Sequence, residues 1–172
     1  MSKKDIPPQF PSSHKKSQVN LLDRREIEAR ILAPFIDALG AAFGREDVIH
    51  ILQKTVSEIA RQQGEQLAQT LGSHSLHDLK KLVEDWSEGN ALEIEVLEQS
   101  DEVFSFNVTR CGYAEFYHHL GLSELGVILS CNRDYALIEG FNPSMRLIRT
   151  QTIIGGAPHC DFRYTCEYQE TK

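Results

Sequence analysis

The sequence contains no long apolar run. None of its segments reaches 18 consecutive apolar residues, which is close to the length that a helix needs to cross a bilayer. Residues 1–18 include lysines, but no apolar stretch follows them, so they do not resemble a secretory signal. These absences predict that the protein does not associate with membranes and resides in the cytoplasm.

Positive charge is also scarce. The chain has 18 lysines and arginines against 25 aspartates and glutamates, which gives a formal net charge of -7. Nucleic acids and anionic membrane surfaces recruit clustered positive charge, because binding displaces their counterions. We therefore expect no nucleic-acid partner.

Several well-known catalytic motifs are missing. The sequence has no GxGxxG or GxxxxGK nucleotide loop, no GxSxG nucleophile elbow and no HExxH zinc motif. What it does have is four cysteines, which a cytoplasmic protein keeps as reduced thiols. Thiols and nearby carboxylates are therefore the groups in which to look for chemistry.

The 172 residues divide into three regions by pattern. Residues 1–18 hold three of the six prolines and no periodicity, which predicts a disordered tail. Residues 19–88 show three amphipathic helical patterns, the first of them carrying apolar residues at every fourth position and Pro34, which we expect to kink or restart the helix. These helices are predicted to pack on the rest of the chain or on a second subunit, which would make a homo-oligomer.

Residues 89–172 alternate between strand and helix patterns. Residues 91–99 and 102–110 have period-2 alternation and predict a hairpin. Two helices follow, near 113–120 and 123–139, and then a second hairpin made of "MRLIRTQTII" and "CDFRYTCEY". The region thus predicts a ββ-αα-ββ unit with a four-stranded antiparallel sheet, and the whole chain an α+β protein.

Cys131 and Asp134 stand three residues apart in the predicted second helix, so they share one face. A thiol and a carboxylate on one face beside apolar residues would be unusual without a function, although a core thiol with a solvated aspartate would give the same spacing. Arg149 and Thr150 lie in the predicted third strand. An interior Arg149 would need a partner, and Asp134, Asp161 or an anionic ligand could serve.

His159, Cys160 and Asp161 begin the last predicted strand. In a regular strand Cys160 and Asp161 point to opposite faces, but the preceding "GGAP" turn could distort the entry and let both face one site. Cys166 lies on the apolar face and is assigned to packing. Cys111 precedes a predicted helix, whose N-terminus would lower the pKa of its thiol.

Taken in order, these residues resemble the L-2-amino-thiazoline-4-carboxylic acid hydrolase family over about residues 103–165. The resemblance rests on three groups of residues that occur in this order: Cys111, Tyr113, Glu115, Gly121 and Glu124-Leu125; then Cys131 and Asp134; then Arg149, Thr150, Thr152 and Cys160-Asp161-Phe162. It implies a hydrolase that opens a small heterocycle at a C–N or C–S bond.

The resemblance also suggests roles for the residues. The implied catalytic groups are Cys131, Asp134, His159, Cys160 and Asp161, and the implied substrate-binding groups are Cys111, Tyr113, Glu115, Arg149 and Thr150. The first reading needs no cofactor: an aspartate holds the ring and moves protons, a cysteine attacks the ring carbon, and Arg149 holds a substrate carboxylate.

Two alternatives stay open. A zinc-dependent hydrolase would use Cys131, Asp134, His159 and Cys160 as ligands, since thiolate, carboxylate and imidazole are ordinary zinc donors. A non-enzymatic small-molecule sensor is the other, on a fold-level likeness to sensing domains of the vinyl-reductase type. In each case the expected partner is a small heterocyclic molecule.

Overall fold

The computed structural model describes residues 19–166, so the predicted tail over 1–18 lies outside the described residues. The helices are α1 (Leu21–Phe43), α2 (Arg45–Leu71), α3 (Leu76–Trp86), α4 (Gly112–His119), α5 (Ser123–Gly126) and α6 (Arg133–Phe141). The strands are β1 (Leu92–Gln99), β2 (Val103–Cys111), β3 (Met145–Ile148) and β4 (Cys160–Cys166). The predicted α+β class and the ββ-αα-ββ order are confirmed.

The first helix departs from expectation at Pro34. The structure shows one unbroken helix α1 with Pro34 inside it, whereas the sequence predicted a kink or a restart. Proline removes one backbone hydrogen bond, to the carbonyl of residue Arg30. Both residues are exposed to solvent, so water can take the place of that bond.

The third helix begins as its sequence predicts. The Ser75 hydroxyl accepts from the backbone N–H of Asp78, and the Asp78 carboxylate accepts from the backbone N–H of Ser75, which completes a capping box. Leucines and a valine on the other face of α3 then pack on the sheet. The helix α3 therefore covers one face of the sheet, including the inward-facing side of the last strand.

The sheet has the order β1-β2-β4-β3, with every pair antiparallel. One face packs against α3 and α6 and forms the first core, which includes Phe104, Phe106 and Tyr164. A second core lies between α1, α2, α4 and the segment around Leu125. Cys111 contacts both cores, so it marks the place where they meet.

The predicted helix over 123–139 is not continuous. It is split into α5, a π-helical turn over Val127–Cys131, and α6. The N–H of Asn132 donates to the carbonyl of Val127, five residues back, at 2.8 Å. The wider turn changes the phase of the helix at Cys131, and π turns of this kind are frequent at functional sites.

The predicted third strand is shorter than its sequence suggests. β3 ends at Ile148, so Arg149 and Thr150 lie beyond it rather than within it. The reason is the Asp161 carboxylate, which accepts the N–H groups of Thr150 and Gln151 in place of a neighbouring strand. The chain then turns away from the sheet before it reaches β4.

No helix within residues 19–166 is both long and apolar enough to cross a membrane. This agrees with the absence of apolar runs in the sequence.

Candidate active site

Four residues predicted to carry chemistry come together where the two cores meet. Cys111 ends β2, Cys131 ends the π turn, Asp134 lies in the first turn of α6, and Cys160 begins β4. Their charges act on one another: Cys160 and Asp134 both influence the pKa of Cys111, and all three influence that of Cys131. The fold therefore joins into one cluster residues that are up to 49 positions apart in the sequence.

Arg149 ties this cluster together. Its Nη1 donates to Asp134 Oδ2 at 2.6 Å, and its Nη2 donates to the carbonyl of Cys131 at 2.9 Å. The guanidinium carbon also lies 5.2 Å from the ring centre of Tyr135 and 4.9 Å from that of Phe162. Only 4% of the Arg149 side chain is exposed, so the cation is fixed in one position.

Sequence reasoning found Asp134 as one of the partners of Arg149 but missed the two rings that hold it. Tyr135 follows Asp134 in the sequence, and its hydroxyl donates to the carbonyl of Arg149 at 3.1 Å. Phe162 was identified in the strand pattern and in the family resemblance, but not as a partner of Arg149. A signal existed in the alternation of β4, which places Phe162 on the same face as Cys160.

Asp134 is enclosed by protein but is not sealed. Burial raises the pKa of its carboxyl group, and the charge and hydrogen bonds of Arg149 offset part of that increase. Yet 23% of the side-chain surface is accessible, and within residues 19–166 its Oδ1 atom accepts no hydrogen bond. Asp134 therefore has one oxygen fixed by Arg149 and one oxygen free to meet a small molecule.

The thiols of the cluster are protonated at neutral pH. Burial raises the pKa of Cys131 to about 12, with the Asp134 charge adding to the effect, and burial raises that of Cys111 to about 11. Burial also raises the pKa of Cys160. The prediction that the helix N-terminus lowers the pKa of Cys111 is wrong, because burial outweighs the N–H of Ala114 that donates to its sulfur.

Asp161 does not face this cluster. β4 alternates regularly from its first residue, so Cys160 points into the core and Asp161 points to the opposite side. The expectation that the glycine turn lets both residues face one site therefore fails. Asp161 accepts the Thr150 hydroxyl at 2.6 Å as well as the two backbone N–H groups, which holds the loop after β3.

The remaining predicted residues surround the site at different distances. His159 is half-buried, and its Nε2 lies 2.9 Å from Nε2 of Gln151 in the same loop. The Tyr113 hydroxyl donates to the carbonyl of Trp86 at 3.3 Å, and Asp134 influences its pKa, which places Tyr113 at the edge of the cluster. Glu115 is exposed and forms an ion pair with Arg110.

The donor set proposed for zinc does not converge. Among the described residues, no three histidine, cysteine, aspartate or glutamate side chains are arranged to hold a metal ion. Cys131, Asp134, His159 and Cys160 are all in that part of the chain, and none of them forms such a group with the others.

An open cavity of about 410 Å³ lies between α6 and the loop after β3. Asn132 and Tyr135 line it from the helix side, and Thr150, Gln151 and Ala157 line it from the loop side. Arg149 also contributes to its wall. Since Arg149 also holds Asp134, the cavity lies next to the cluster, although Asp134 and the three cysteines are not among the residues that line it.

Comparison with known families identifies the chain. A family model described as L-2-amino-thiazoline-4-carboxylic acid hydrolase matches residues 24–164. The chain belongs to this family. The match includes α2, α3 and most of α1, which sequence reasoning could not connect to any family, so the hydrolase family extends well beyond the predicted span of 103–165. The name of the family implies a hydrolase.

Comparisons with curated proteins and with solved structures are less informative. No curated protein matches the chain. Among solved structures, the phenol-responsive sensory domain of the transcription activator PoxR with phenol has a TM-score of 0.49 and 10% identity, covering 79% of this chain and 73% of that one. A trafficking protein particle complex subunit 3 from Naegleria fowleri, covalently bound to palmitic acid, has a TM-score of 0.47 and 12% identity, covering 84% and 96%.

Proposed function

We propose that this protein hydrolyses a small ring with an amidine-like carbon, breaking a C–N or C–S bond, and that Asp134 transfers the protons. The observation that carries the proposal is the geometry of Asp134, whose Oδ2 is fixed by Arg149 while its Oδ1 is free and accessible. A carboxylate with a raised pKa is suited to accept a proton in one step and return it in the next. Membership of the hydrolase family supports this assignment.

The proposed reaction uses one water molecule. The ring N–H donates to Asp134 Oδ1, which places the electrophilic ring carbon beside the carboxylate. Water then attacks that carbon: a C–O bond forms and the water proton passes to Asp134. The ring C–N or C–S bond breaks with its electron pair on the leaving atom, and that atom takes the proton back from Asp134.

Water is preferred to a thiolate as the nucleophile. The pKa of Cys131 is raised to about 12, so very little thiolate exists at neutral pH, and the neighbouring charge of Asp134 opposes its formation. Cys111, Cys131 and Cys160 instead lie in the same cluster as Asp134 as protonated, weakly polar thiols. Arg149 acts as a positioning residue, since both of its Nη atoms are bound to protein groups.

Mutation of Asp134 tests the proposal. Ring opening is followed by absorbance with the full chain and a panel of thiazolines, hydantoins and cyclic amidines. Asp134→Asn keeps the shape but cannot accept the proton, so we expect kcat to fall by a factor of about 10² to 10⁴. Asp101→Asn, at an exposed aspartate beside His77, is the matched control and should keep full activity.

Two further measurements decide between mechanisms. Cys131→Ser should retain most of the activity if water attacks directly, whereas loss of activity together with a covalent adduct on the wild-type chain would establish thiol attack. Elemental analysis of the active protein tests whether zinc is needed. If Asp134→Asn turns over substrate at the wild-type rate, the proposal is wrong; if no compound is turned over but one raises the Tm, the protein is a binder.

A further inference from the structure

Arg133 is a buried cation without a carboxylate partner. It is the first residue of α6, only 8% of it is exposed, and its single side-chain hydrogen bond is from Nη2 to Oε1 of Gln63 on α2. Within residues 19–166 no aspartate or glutamate forms an ion pair with it. A buried arginine ordinarily needs a compensating anion, because removing its charge from water is costly.

The unused N–H groups of Arg133 are not sealed in the protein. In the described part of the chain, the Tyr164 hydroxyl is the sole buried side-chain polar atom that lacks both a partner and access to solvent. The other nitrogens of Arg133 must therefore border a space that water or a ligand can enter. A guanidinium has five N–H donors in a rigid plane, and two parallel ones match a carboxylate.

A second arginine lies nearby. Arg25 of α1 is mostly buried, with 12% of its side chain exposed, and its Nη1 is 2.5 Å from Oε2 of Glu28. Arg25 and Arg133 are close enough that, after burial, the charge of Arg25 is the next cause lowering the pKa of Arg133, to about 10. Among the residues that the structure describes, Arg25, Arg133 and Arg149 are balanced here only by Glu28 and Asp134, so one positive charge is left over, which one anionic group would neutralise.

This pair of arginines also lies close to the candidate active site. The charges of both Arg25 and Arg133 act on Asp134, and Arg133 is its direct neighbour in the sequence. An anion bound by these arginines would therefore lie near Asp134.

From this geometry we propose that Arg133, supported by Arg25, binds the carboxylate of the ring substrate while Asp134 contacts the ring. The inference rests on the proposed function for the position of the ring. It assigns recognition of the carboxylate to Arg133 rather than to Arg149, which the sequence suggested for that role. Arg133 sets which substrates bind, and Arg149 orients the group that reacts.

The test compares one ring with and without its charge. L-2-amino-thiazoline-4-carboxylate and its carboxamide are titrated against the full chain by calorimetry. The wild type should bind the carboxylate about 10- to 100-fold more tightly than the amide, the size expected for hydrogen bonds to a charged group. Arg133→Met should remove this preference while leaving the affinity for the amide unchanged.

Two other variants separate recognition from general effects. Arg61→Met removes an exposed arginine that joins α2 to Glu139 of α6, and it should keep the wild-type preference. Arg133→Lys keeps the charge but loses the planar fork, so it should show an intermediate preference. If Arg133→Met does not fold, Arg133→Lys decides alone, and an unchanged preference in it overturns the inference.

Failure of this inference differs from failure of the proposed function. If the wild type binds the carboxylate no better than the amide, the inference is wrong even when the ring is opened. If the ring is not opened but L-proline or thiazolidine-4-carboxylate raises the Tm more than its amide does, and only with Arg133 present, the carboxylate site stands and the hydrolase does not.

Discussion

Asp134 and Arg149 form an ion pair that packing alone would not favour. Taking two charges out of water costs several kcal/mol for each ion, and well-packed apolar side chains of similar volume are often as stable or more so. Here the aromatic rings of Tyr135 and Phe162 also flank the guanidinium of Arg149 and support the pair. A charged pair supported in this way is better explained by the need to hold one carboxylate oxygen in a fixed position.

Asp161 gives a contrasting case, in which a carboxylate has a structural role. Burial opposes its charge, but the hydrogen bonds from Thr150 and Gln151 together lower its pKa below the ordinary aspartate value. A lowered folded-state pKa means that the stabilisation is complete above the unfolded-state pKa of about 3.9. It is then lost as the pH falls through the folded-state value.

Asp161→Asn should therefore destabilise the protein at neutral pH. The amide keeps only one acceptor oxygen, so we expect the free energy of unfolding to fall by about 1 to 3 kcal/mol. The difference from the wild type should shrink when the pH is lowered to about 3, because the unfolded wild-type chain then binds a proton at Asp161 more readily than the folded chain does. Urea titrations at both pH values measure this, with Asp101→Asn as control; equal stability at pH 7 would refute the structural role.

Sequence reasoning identified most of these residues but only some of their partners. Cys131 and Asp134 were recognisable as a pair because their spacing is local. Arg133 was missed because nothing in its local sequence marks it as buried, and its partner Gln63 is 70 residues away. The contacts of Asp161 were missed for the same reason: they are made with a loop that only the folded chain brings beside it.

At the scale of elements, α2 and α6 approach unusually closely, and this contact positions Asp134. A Cβ atom at Gly140 would lie 1.9 Å from the carbonyl oxygen of Arg61, and one at Gly64 would lie 2.1 Å from that of Leu137. Both are backbone atoms of the facing helix, so they cannot rotate away. The two glycines allow the backbones to approach to a distance that no other residue permits.

Gly140→Ala should force the two helices apart. We expect the variant to lose about 3 kcal/mol of stability, at the upper end of what overpacking usually costs, and to lose activity or carboxylate binding because α6 shifts. Thermal unfolding and the titration of the ring carboxylate measure the two effects. Gly40→Ala, where the new Cβ meets nothing nearer than 3.3 Å, is the control; equal behaviour of the two variants would show that the close contact is unimportant.

The positions of the helices and strands were easier to predict from the sequence than the places where they are interrupted or end early. The apolar periods of 3.6 and 2 located the helices and strands because each element buries one face. The π turn at Val127–Cys131 and the early end of β3 had no such signal. Both depend on contacts with distant parts of the chain, which override the local pattern.

At the scale of the whole molecule, α1 leaves an apolar stripe uncovered. The stripe consists of five residues spaced four apart and 43% to 70% exposed, namely Ile27, Ile31, Phe35, Leu39 and Phe43. Such residues together present on the order of 500 Å² of apolar surface, near the upper limit for a patch on a monomer. This is the helix for which the sequence predicted a role in a homo-oligomer.

A second copy of the chain fits this stripe better than a lipid surface does. Helices that lie on membranes usually carry many lysines and arginines beside the apolar face, whereas the three arginines of α1 are outnumbered by its four acidic residues. The patch also supplies more than half of the roughly 800 Å² that each partner buries in a standard interface.

We therefore expect the full chain to be a dimer of about 39 kDa, twice the 19.5 kDa of one copy, in light scattering coupled to size exclusion. Phe35→Glu would place a charge at the centre of the stripe, where the twofold axis brings it next to its own copy, and should give a monomer. Ile148→Glu, at an apolar residue of β3 that is 58% exposed, is the matched control and should stay dimeric. A wild type that is monomeric at tens of micromolar would refute the pairing, and its binding to anionic vesicles would assign the stripe to a lipid surface instead.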